Sequence, residues 1–461
     1  MHGVGHVALA NGIRFDVDAP LLIIGAGACG LSAALAAADV GTDAIVVERD
    51  ASPSGSTSLS SGMIPAAGTA AQACANVQDS PALMARDIQA KAKGQAPQSL
   101  VDCVARTSGP TIDWLANSHG VELELVEGFL YPGHSVTRMH APASRTGAEL
   151  EAQLLKAVAQ TNAEIVTNAQ VTTLFADPNG RVSGVECTRP NGQSERIGCA
   201  HLLLACNGYG GNASMIDEHI PEMNDAQYFG HQGNQGDGAA WGSALGGALR
   251  SMSAYQGHGS VATPHQILIT WALMMEGGIQ VNQAGVRFSN EHDGYSEQAV
   301  RVIAQPNGLA WNIYDARLHA LGMEFEDYRN ACAQGALKTA NSIDALAAEL
   351  NMPAETLATS VALTGSNANC TFGRDFSIKP ALQAPFHAIQ VTGALFHTQG
   401  GLMVDEHARV LRANGQPLPN LYAGGGAACG VSGDEVWGYL SGNGLLTAVT
   451  LGRLAGLAPR T

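Results

Sequence analysis

One apolar pattern near the start of the chain repeats on either side of a glycine turn. Leu21-Leu22-Ile23-Ile24 is unbroken and of strand length, and it runs into Gly25-Ala26-Gly27-Ala28-Cys29-Gly30. An Ala/Leu-rich stretch to Ala38 follows, then Ala44-Ile45-Val46-Val47 closed by Glu48. Apolar runs without polar alternation predict strands covered on both faces, and the stretch between them predicts a packed helix. In a G-x-G-x-x-G turn placed this way, Gly25 permits the tight bend and Gly27 lets the backbone approach a pyrophosphate. Gly30 lets the helix lie close to the sheet, so its free N–H groups face phosphate. Glu48, eighteen residues after Gly30, stands where ribose hydroxyls need an acceptor. A dinucleotide site is predicted, for FAD or for NAD.

Elsewhere the pattern is mixed. Val7–Asp18 predicts a short hairpin around Asn11-Gly12. After Glu48, Ser52–Met63 gathers small hydroxyl residues and glycines at a strand end, which predicts a cofactor-facing loop. Helical periodicity covers Ala82–Lys93, Gln98–His119 and Ala148–Gln160. Glu164–Val171 and Arg181–Glu186 alternate as strands about the turn Asp177-Pro178-Asn179-Gly180. His201–Ala205 predicts a buried strand entering a second glycine turn, Cys206–Gly211. From about Ser253 to Lys379 helix increases, notably Asp315–Leu321 and Ser342–Thr364, which predicts an inserted cap. The nucleotide fold is expected to resume near Pro380 and to close with Leu421–Gly433 and the helix Gly444–Leu457.

Composition narrows the class. At 461 residues there is room for two or three domains, and 14% charged residues against 46% apolar ones argues for a compact α/β protein. The net charge of −16 disfavours nucleic acid or an anionic membrane as partner. Nine cysteines are scattered without a C-x-x-C pair, so no metal site is expected and free thiols in a reducing cytoplasm are. Met1–Pro20 has no basic start and apolar core of a signal peptide, and no run is long enough to span a bilayer.

Five blocks, in order along nearly the whole chain, carry a family resemblance. They are the opening unit with Glu48; Ser56–Gly62 followed by Pro65-Ala66-Ala67-Gly68; and Gly236-Asp237-Gly238. Then come Gly278-Ile279-Gln280-Val281-Asn282 running to Arg287-Phe288-Ser289-Asn290-Glu291, and His397-Thr398-Gln399-Gly400-Gly401 through Leu421–Gly425 to Ser441-Gly442-Asn443-Gly444. Together they resemble the fumarate reductase/succinate dehydrogenase flavoprotein superfamily in its soluble single-chain branch. The resemblance implies FAD, and a Rossmann-type α/β FAD-binding domain split in sequence by an inserted α+β cap that holds substrate. The implied spans are 1–252 and 380–461 for the FAD domain and 253–379 for the cap. It implies pyrophosphate and adenosine contacts at Gly25, Gly27, Cys29, Gly30 and Glu48. Ser56, Thr57, Ser61 and Gly62 fall along the isoalloxazine, with Val171, Ala205 and Asp237 as further FAD contacts. His397 falls on the flavin, and Gly444-Leu445 against its pyrimidine end, where a helix dipole favours negative charge. Membrane-complex relatives carry a covalently flavinylated histidine where this chain has Ser56, so FAD is expected without a covalent bond. Relatives often have glutamate where this chain has Gly426, so one ribityl contact is expected to be missing.

The departures bear on chemistry. Fumarate reductases of this branch grip a dicarboxylate with arginines and histidines. The positions for two of those arginines are Tyr295, four residues after Glu291, and Tyr439, three before Gly442. A substrate histidine becomes Phe396, and the Glu and Arg of a proton relay become Trp271 and Met274; His258 and Thr270 remain. Two phenols cannot replace bidentate guanidinium for a dianion. The same Arg-to-Tyr exchanges resemble the ketosteroid 1-dehydrogenase branch and its cyclic-ketone desaturase relatives. There one tyrosine takes a proton α to a carbonyl while hydride leaves the β carbon for flavin N5. The resemblance thus implies Tyr295 as base, Tyr439 with the amide of Gly442 or Asn443 as carbonyl-binding group, and His258 as an aid to either. Trp271, Thr270 and Phe396 are candidate walls, as is Tyr131. The expected activity is α,β-desaturation of a neutral, cyclic ketone with an unidentified electron acceptor. Its alternatives are the reverse ene-reduction of an unsaturated ketone or acid, a catalytically silent flavin-binding redox subunit, and an NAD(P)-dependent dehydrogenase without flavin.

Overall fold

The computed structural model describes residues 5–366 and 370–458; the rest of the spans expected above lies outside the described residues. The first apolar run forms the strand Val17–Ile24 and the second Ala44–Val47, paired in parallel, with the helix Ala28–Asp39 between them. They lie in a nine-stranded sheet. Seven of its strands follow the order His6–Leu9, Gln170–Ala176, Val182–Thr188, Ser194–Leu204, Val17–Ile24, Ala44–Val47 and Glu164–Val166, and Pro417–Ala423 with its partner Arg409–Leu411 branches from Ser194–Leu204. The long strand Ser194–Leu204 has Val17–Ile24 along one edge and changes partner along the other. Its first half pairs with Val182–Thr188, and Leu202–Leu204 pair in parallel with Leu421–Ala423. Through that second half the distant segment Pro417–Ala423 joins the sheet.

A second, seven-stranded sheet is built largely from the span expected to form the cap, with Gln227–Tyr228 and Phe386–Thr398 joining from outside it. Its centre is the 13-residue strand Phe386–Thr398, flanked by Tyr255–Ala262 and Leu309–Asp315 and also paired with Gln227–Tyr228 and Leu337–Ala340. Gly257, Gly259 and Gly393 leave no room for a Cβ against Ala299, Ser296 and Gln298, so the helix Tyr295–Ile303 lies directly on the two central strands. Tyr295 is the first residue of that helix.

Four expectations change. Asn11-Gly12 turns the chain but makes no hairpin: His6–Leu9 and Val17–Ile24 lie at separate places in the sheet, each with parallel neighbours. Glu164–Val171 is two strands, broken where Asn168 adopts φ +53° and donates its N–H to Asp50. Ser342–Thr364 is two helices, Ile343–Glu349 and Ala354–Ala362, separated by Asn351 at φ +53° and Pro353. The chain does not return to the nucleotide fold at Pro380. Phe386–Thr398 first completes the cap sheet, and its apolar residues Phe386, Ala388, Ile389 and Val391 pack in the cap core.

The cap is tied down by one buried charge cluster. Glu291 is fully buried and accepts hydrogen bonds from Arg287 at 2.6 and 3.0 Å, Arg374 at 2.9 Å and the Gln280 amide at 3.0 Å. Burial alone would raise its carboxyl, but Arg374 and Arg287 outweigh it and hold the pKa at about 2. Its stabilising contribution is therefore complete above the ordinary glutamate range and is lost as pH falls towards 2. Glu291→Gln leaves two buried guanidinium groups uncompensated and should cost about 3–5 kcal/mol, read as a lower urea midpoint at neutral pH. The difference from wild type should shrink as pH is lowered below about 4.

Candidate active site

A single elongated cavity runs from the first glycine turn to the cap. At its nucleotide end Gly25 has φ +106°, and a Cβ there would sit 2.5 Å from the Ala205 carbonyl. The Ala28 N–H donates to Thr57 Oγ1 at 2.9 Å, which ties the Ser/Thr loop to the helix start. Glu48 accepts the N–H groups of Ala26 at 3.0 Å and Asp50 at 3.1 Å. Gly27, Cys29, Glu48, Ser56, Thr57, Ser61, Val171, Ala205 and Asp237 all line this part, together with Gly426, His397, Gly444 and Leu445.

Three expected contacts do not line it. A Cβ on Gly30 would overlap the Gly25 carbonyl, so that glycine serves the packing of the turn itself. Gly62, at φ +67°, lies against the Thr146 carbonyl. Asn443 is wholly buried, and its side-chain amide has no hydrogen-bond partner among the described residues. The space at Gly426 is also used: a Cβ there would overlap Oδ1 of Asn207. Asn207 stands at φ +65° and donates from Nδ2 to Ser56 Oγ at 2.7 Å. Sequence reasoning saw Asn207 only as part of a turn, and its left-handed backbone gave no local signal.

The cap end is a box of rings. Tyr295 has His258 stacked on it at 4.7 Å, with Tyr439, Tyr131 and Trp271 at 6.2, 6.3 and 6.4 Å. Phe396 stacks on Phe229 at 4.8 Å. A bulge explains how neighbours Phe396 and His397 both reach the cavity. Gln256 pairs with His397 and Gly257 with Leu395, so Phe396 is the extra residue and the strict alternation of a strand is broken. The Trp271 indole N–H is taken by the Glu291 carbonyl at 3.1 Å, and Thr270 hydrogen-bonds Tyr131, so both act as walls. Phe325, Asp327 and Arg145 also line it and carried no motif, and Ser441 lines it from the last of the five blocks.

Protonation follows from burial. Burial pushes the Tyr295 hydroxyl well above the ordinary phenol value, and Tyr439 beside it adds to the rise. Tyr439 is pushed up as well, against the amides of Gly444 and Gly442 that point at its oxygen. The Gly444 N–H lies 3.3 Å from that oxygen, so the Tyr439 O–H is the group left to donate. Burial lowers His258 to about 3, and its Nδ1 accepts the Ser260 N–H at 3.1 Å. His258 is therefore neutral, with its proton on Nε2. Burial likewise lowers His397 to about 4. Ser432 donates to Gln399 Oε1. His397 Nδ1 lies 3.1 Å from Gln399 Nε2, a donor, and 3.3 Å from the Thr398 carbonyl, an acceptor.

The glycine turn, the carboxylate at the second strand and a cavity long enough to join them to the ring box fit a flavin dinucleotide. A family model described as an FAD binding domain matches residues 21–445. The chain belongs to this family. FAD is its cofactor, and it is a flavoprotein oxidoreductase. The chain is 28% identical over 455 residues to a fumarate reductase (cytochrome) of Shewanella frigidimarina, covering 97% of this chain and 78% of that one. It is 25% identical over 473 residues to a urocanate reductase of Eggerthella lenta, covering 97% and 75%. Among solved structures it resembles a 3-ketosteroid-Δ4-(5α)-dehydrogenase of Rhodococcus jostii, with TM-score 0.76, 22% identity and 99% of both chains covered. The superfamily resemblance is thus borne out, and so is the FAD-binding fold. No helix among the described residues is long and apolar enough to cross a membrane.

If Asn207 fills the place beside Gly426, Gly426→Glu should weaken FAD binding by roughly tenfold or more, since overpacking costs about 1–3 kcal/mol. Flavin fluorescence on titration with the stripped protein measures this.

Proposed function

We propose that this flavoenzyme desaturates a neutral cyclic ketone at the α,β carbon–carbon bond. The observation that carries the reading is the pair Tyr295 and Tyr439, edge to face with ring centroids 6.2 Å apart, in a cavity whose cap end offers no free cation among the described residues. Arg145 does line that end, but it is paired with Glu324 at 2.9 Å and lies over the Phe325 ring. The other ionisable wall there, Asp327, is acidic, and burial raises its pKa to about 6. A dicarboxylate would meet no compensating charge, whereas a carbonyl needs only hydrogen-bond donors.

Bound FAD supplies the two-electron acceptor. Tyr439, oriented by the Gly444 amide, donates its O–H to the substrate carbonyl and so acidifies the α hydrogen. Tyr295 takes that proton in its phenolate form, and the neutral His258 presents Nε2–H as a second donor beside it. The aromatic walls exclude water and hold a flat apolar ring. Ser56, in place of a histidine, leaves FAD held without a covalent bond. Electrons then pass to an acceptor outside the described residues. The free state of all nine cysteines supports a reducing compartment such as the cytoplasm. The ketosteroid dehydrogenase likeness agrees with this reading at the level of fold.

One observation favours the reverse reaction as a second reading. Burial keeps Tyr295 a phenol, the form that gives a proton, and the Shewanella frigidimarina and Eggerthella lenta relatives named above are reductases. The two directions differ in pH dependence. Desaturation through a Tyr295 phenolate should quicken about tenfold per pH unit through the neutral range without a plateau, because its pKa is raised above about 10. Reduction with Tyr295 as acid should be flat over the same range. Tyr295→Phe should retain FAD yet slow the half-reaction by about 10²–10⁴-fold. The measurement is anaerobic stopped flow: bleaching of oxidised flavin by saturated ketones, and reoxidation of reduced flavin by enones. Bleaching by no ketone together with fast reoxidation by an enone would discard desaturation in favour of reduction.

A further inference from the structure

The turn Tyr439–Gly444 places the second tyrosine of the ring box and the start of the helix Asn443–Leu457. Its shape is set from outside the cavity. Gly442 stands at φ +84°, and a Cβ there would overlap Cδ of Pro65, so the turn is closed on that side. On the other side the Ser441 carbonyl lies 2.9 Å from Nε2 of His134. A carbonyl only accepts, so that nitrogen carries the proton and Nδ1 is the ring's acceptor. Arg138 Nη1 lies 3.5 Å from Nδ1, which suits this tautomer.

His134 is buried, and burial together with the neighbouring Arg138 charge lowers its pKa to about 4. It is neutral at ordinary pH. Arg138 is itself 1% exposed and is held by Asp87 at 2.6 Å and by both oxygens of Asp79 at 2.9 and 3.0 Å. Asp79 also accepts from Gln72 Nε2 at 2.9 Å, and Asp87 from the Ser135 N–H at 2.9 Å. A satisfied buried network of this kind has one arrangement and little freedom. It ends on a single backbone atom, the Ser441 carbonyl. The Ser441 hydroxyl in turn hydrogen-bonds Tyr295.

We infer that His134 is a positioning residue for the site, acting through Ser441 on Tyr295 and on the amides that orient Tyr439. His134 does not line the main cavity, so it is not a catalytic residue. It does not relay a proton either, because its partner is a carbonyl with none to exchange. The charge of Asp79, Arg138 and Asp87 anchors the ring, and the ring fixes the turn. The inference rests on the proposed roles of Tyr295 and Tyr439, although its effect on the helix start does not.

The test compares His134→Leu, which removes the donor, with His134→Gln, which keeps a side-chain N–H. Both are measured as FAD-loaded full-length protein. His134→Leu should lower turnover of the ketone or enone that reacts with wild type by roughly ten- to a hundredfold, with KM nearly unchanged. The midpoint potential of bound FAD should fall, since a helix N-terminus no longer held in place favours negative charge less. His134→Gln should recover most of both, and the Leu deficit should be the same at every pH from 6 to 9. Wild-type turnover and potential in His134→Leu would overturn the inference. So would equal losses in the Leu and Gln variants, or a deficit that changes with pH. Should no ketone or enone react with wild type, the proposed function fails, and the potential alone decides the role of His134. If His134→Leu does not retain FAD, nitrogen-15 histidine spectra of the wild type decide it. An Nδ1–H tautomer, or titration of His134 above pH 5, would refute the assignment.

Discussion

Contact between the helix Ala28–Asp39 and the helix Asn443–Leu457 sets the geometry of everything else. A Cβ on Gly452 would overlap the Cys29 carbonyl, and one on Gly456 the Ala33 carbonyl. Both partner positions advance by four, so the helices run in the same direction with their backbones touching. At 1.5 Å per residue, the second helix therefore begins roughly 12 Å beyond the first. Two positive helix ends reach the same cavity at different depths. The nearer one starts at the glycine turn Gly25–Gly30, and the farther one at Gly442–Leu445, beside His397 and Tyr439. A Cβ on Gly444 would sit 2.7 Å from the His397 ring, so the same economy of side chains is repeated at that end.

One strand of the second sheet runs straight into this frame. Phe386–Thr398 is held by neighbours along its length, and its C-terminal residues pass straight into the cavity as Phe396 and His397. Tyr295 comes from a helix seated on that strand, and His258 from the strand beside it. Phe396, His397, Tyr295 and His258 thus share one support, while Tyr439 comes from the turn before the helix Asn443–Leu457. The two phenols meet only where cap and nucleotide domain meet. Lys91 and Arg145 cross the same boundary, to Glu297 and Glu324.

The nucleotide half was legible in the sequence because its signals are local. An apolar run, a glycine turn, a helix and an acid fall within 28 residues, from Leu21 to Glu48, and each needs only its neighbours to be read. The box residues Tyr295, Tyr439, His258, Phe396 and Trp271 were legible only through resemblance, yet the structure brings all five together. The cap sheet was not legible. The partners of Phe386–Thr398 come from residues as far back as Gln227, and no local pattern records such pairings. The hairpin at Asn11-Gly12 failed for the same reason, since a strong turn dipeptide cannot reveal that both flanking strands have parallel partners elsewhere. Arg138 and His134 gave no local signal, because their meaning lies in Asp79, Asp87 and Ser441.

The wall of the FAD cavity joins residue 24 to residue 448. During synthesis the first glycine turn and its helix leave the ribosome long before the residues against which they close. Until Gly452 and Gly456 arrive, Cys29 and Ala33 have no cover and the flavin end of the site has no far wall. The cavity is therefore complete only once the helix Asn443–Leu457 has packed on Ala28–Asp39, so its far wall is the last part of the chain to be made.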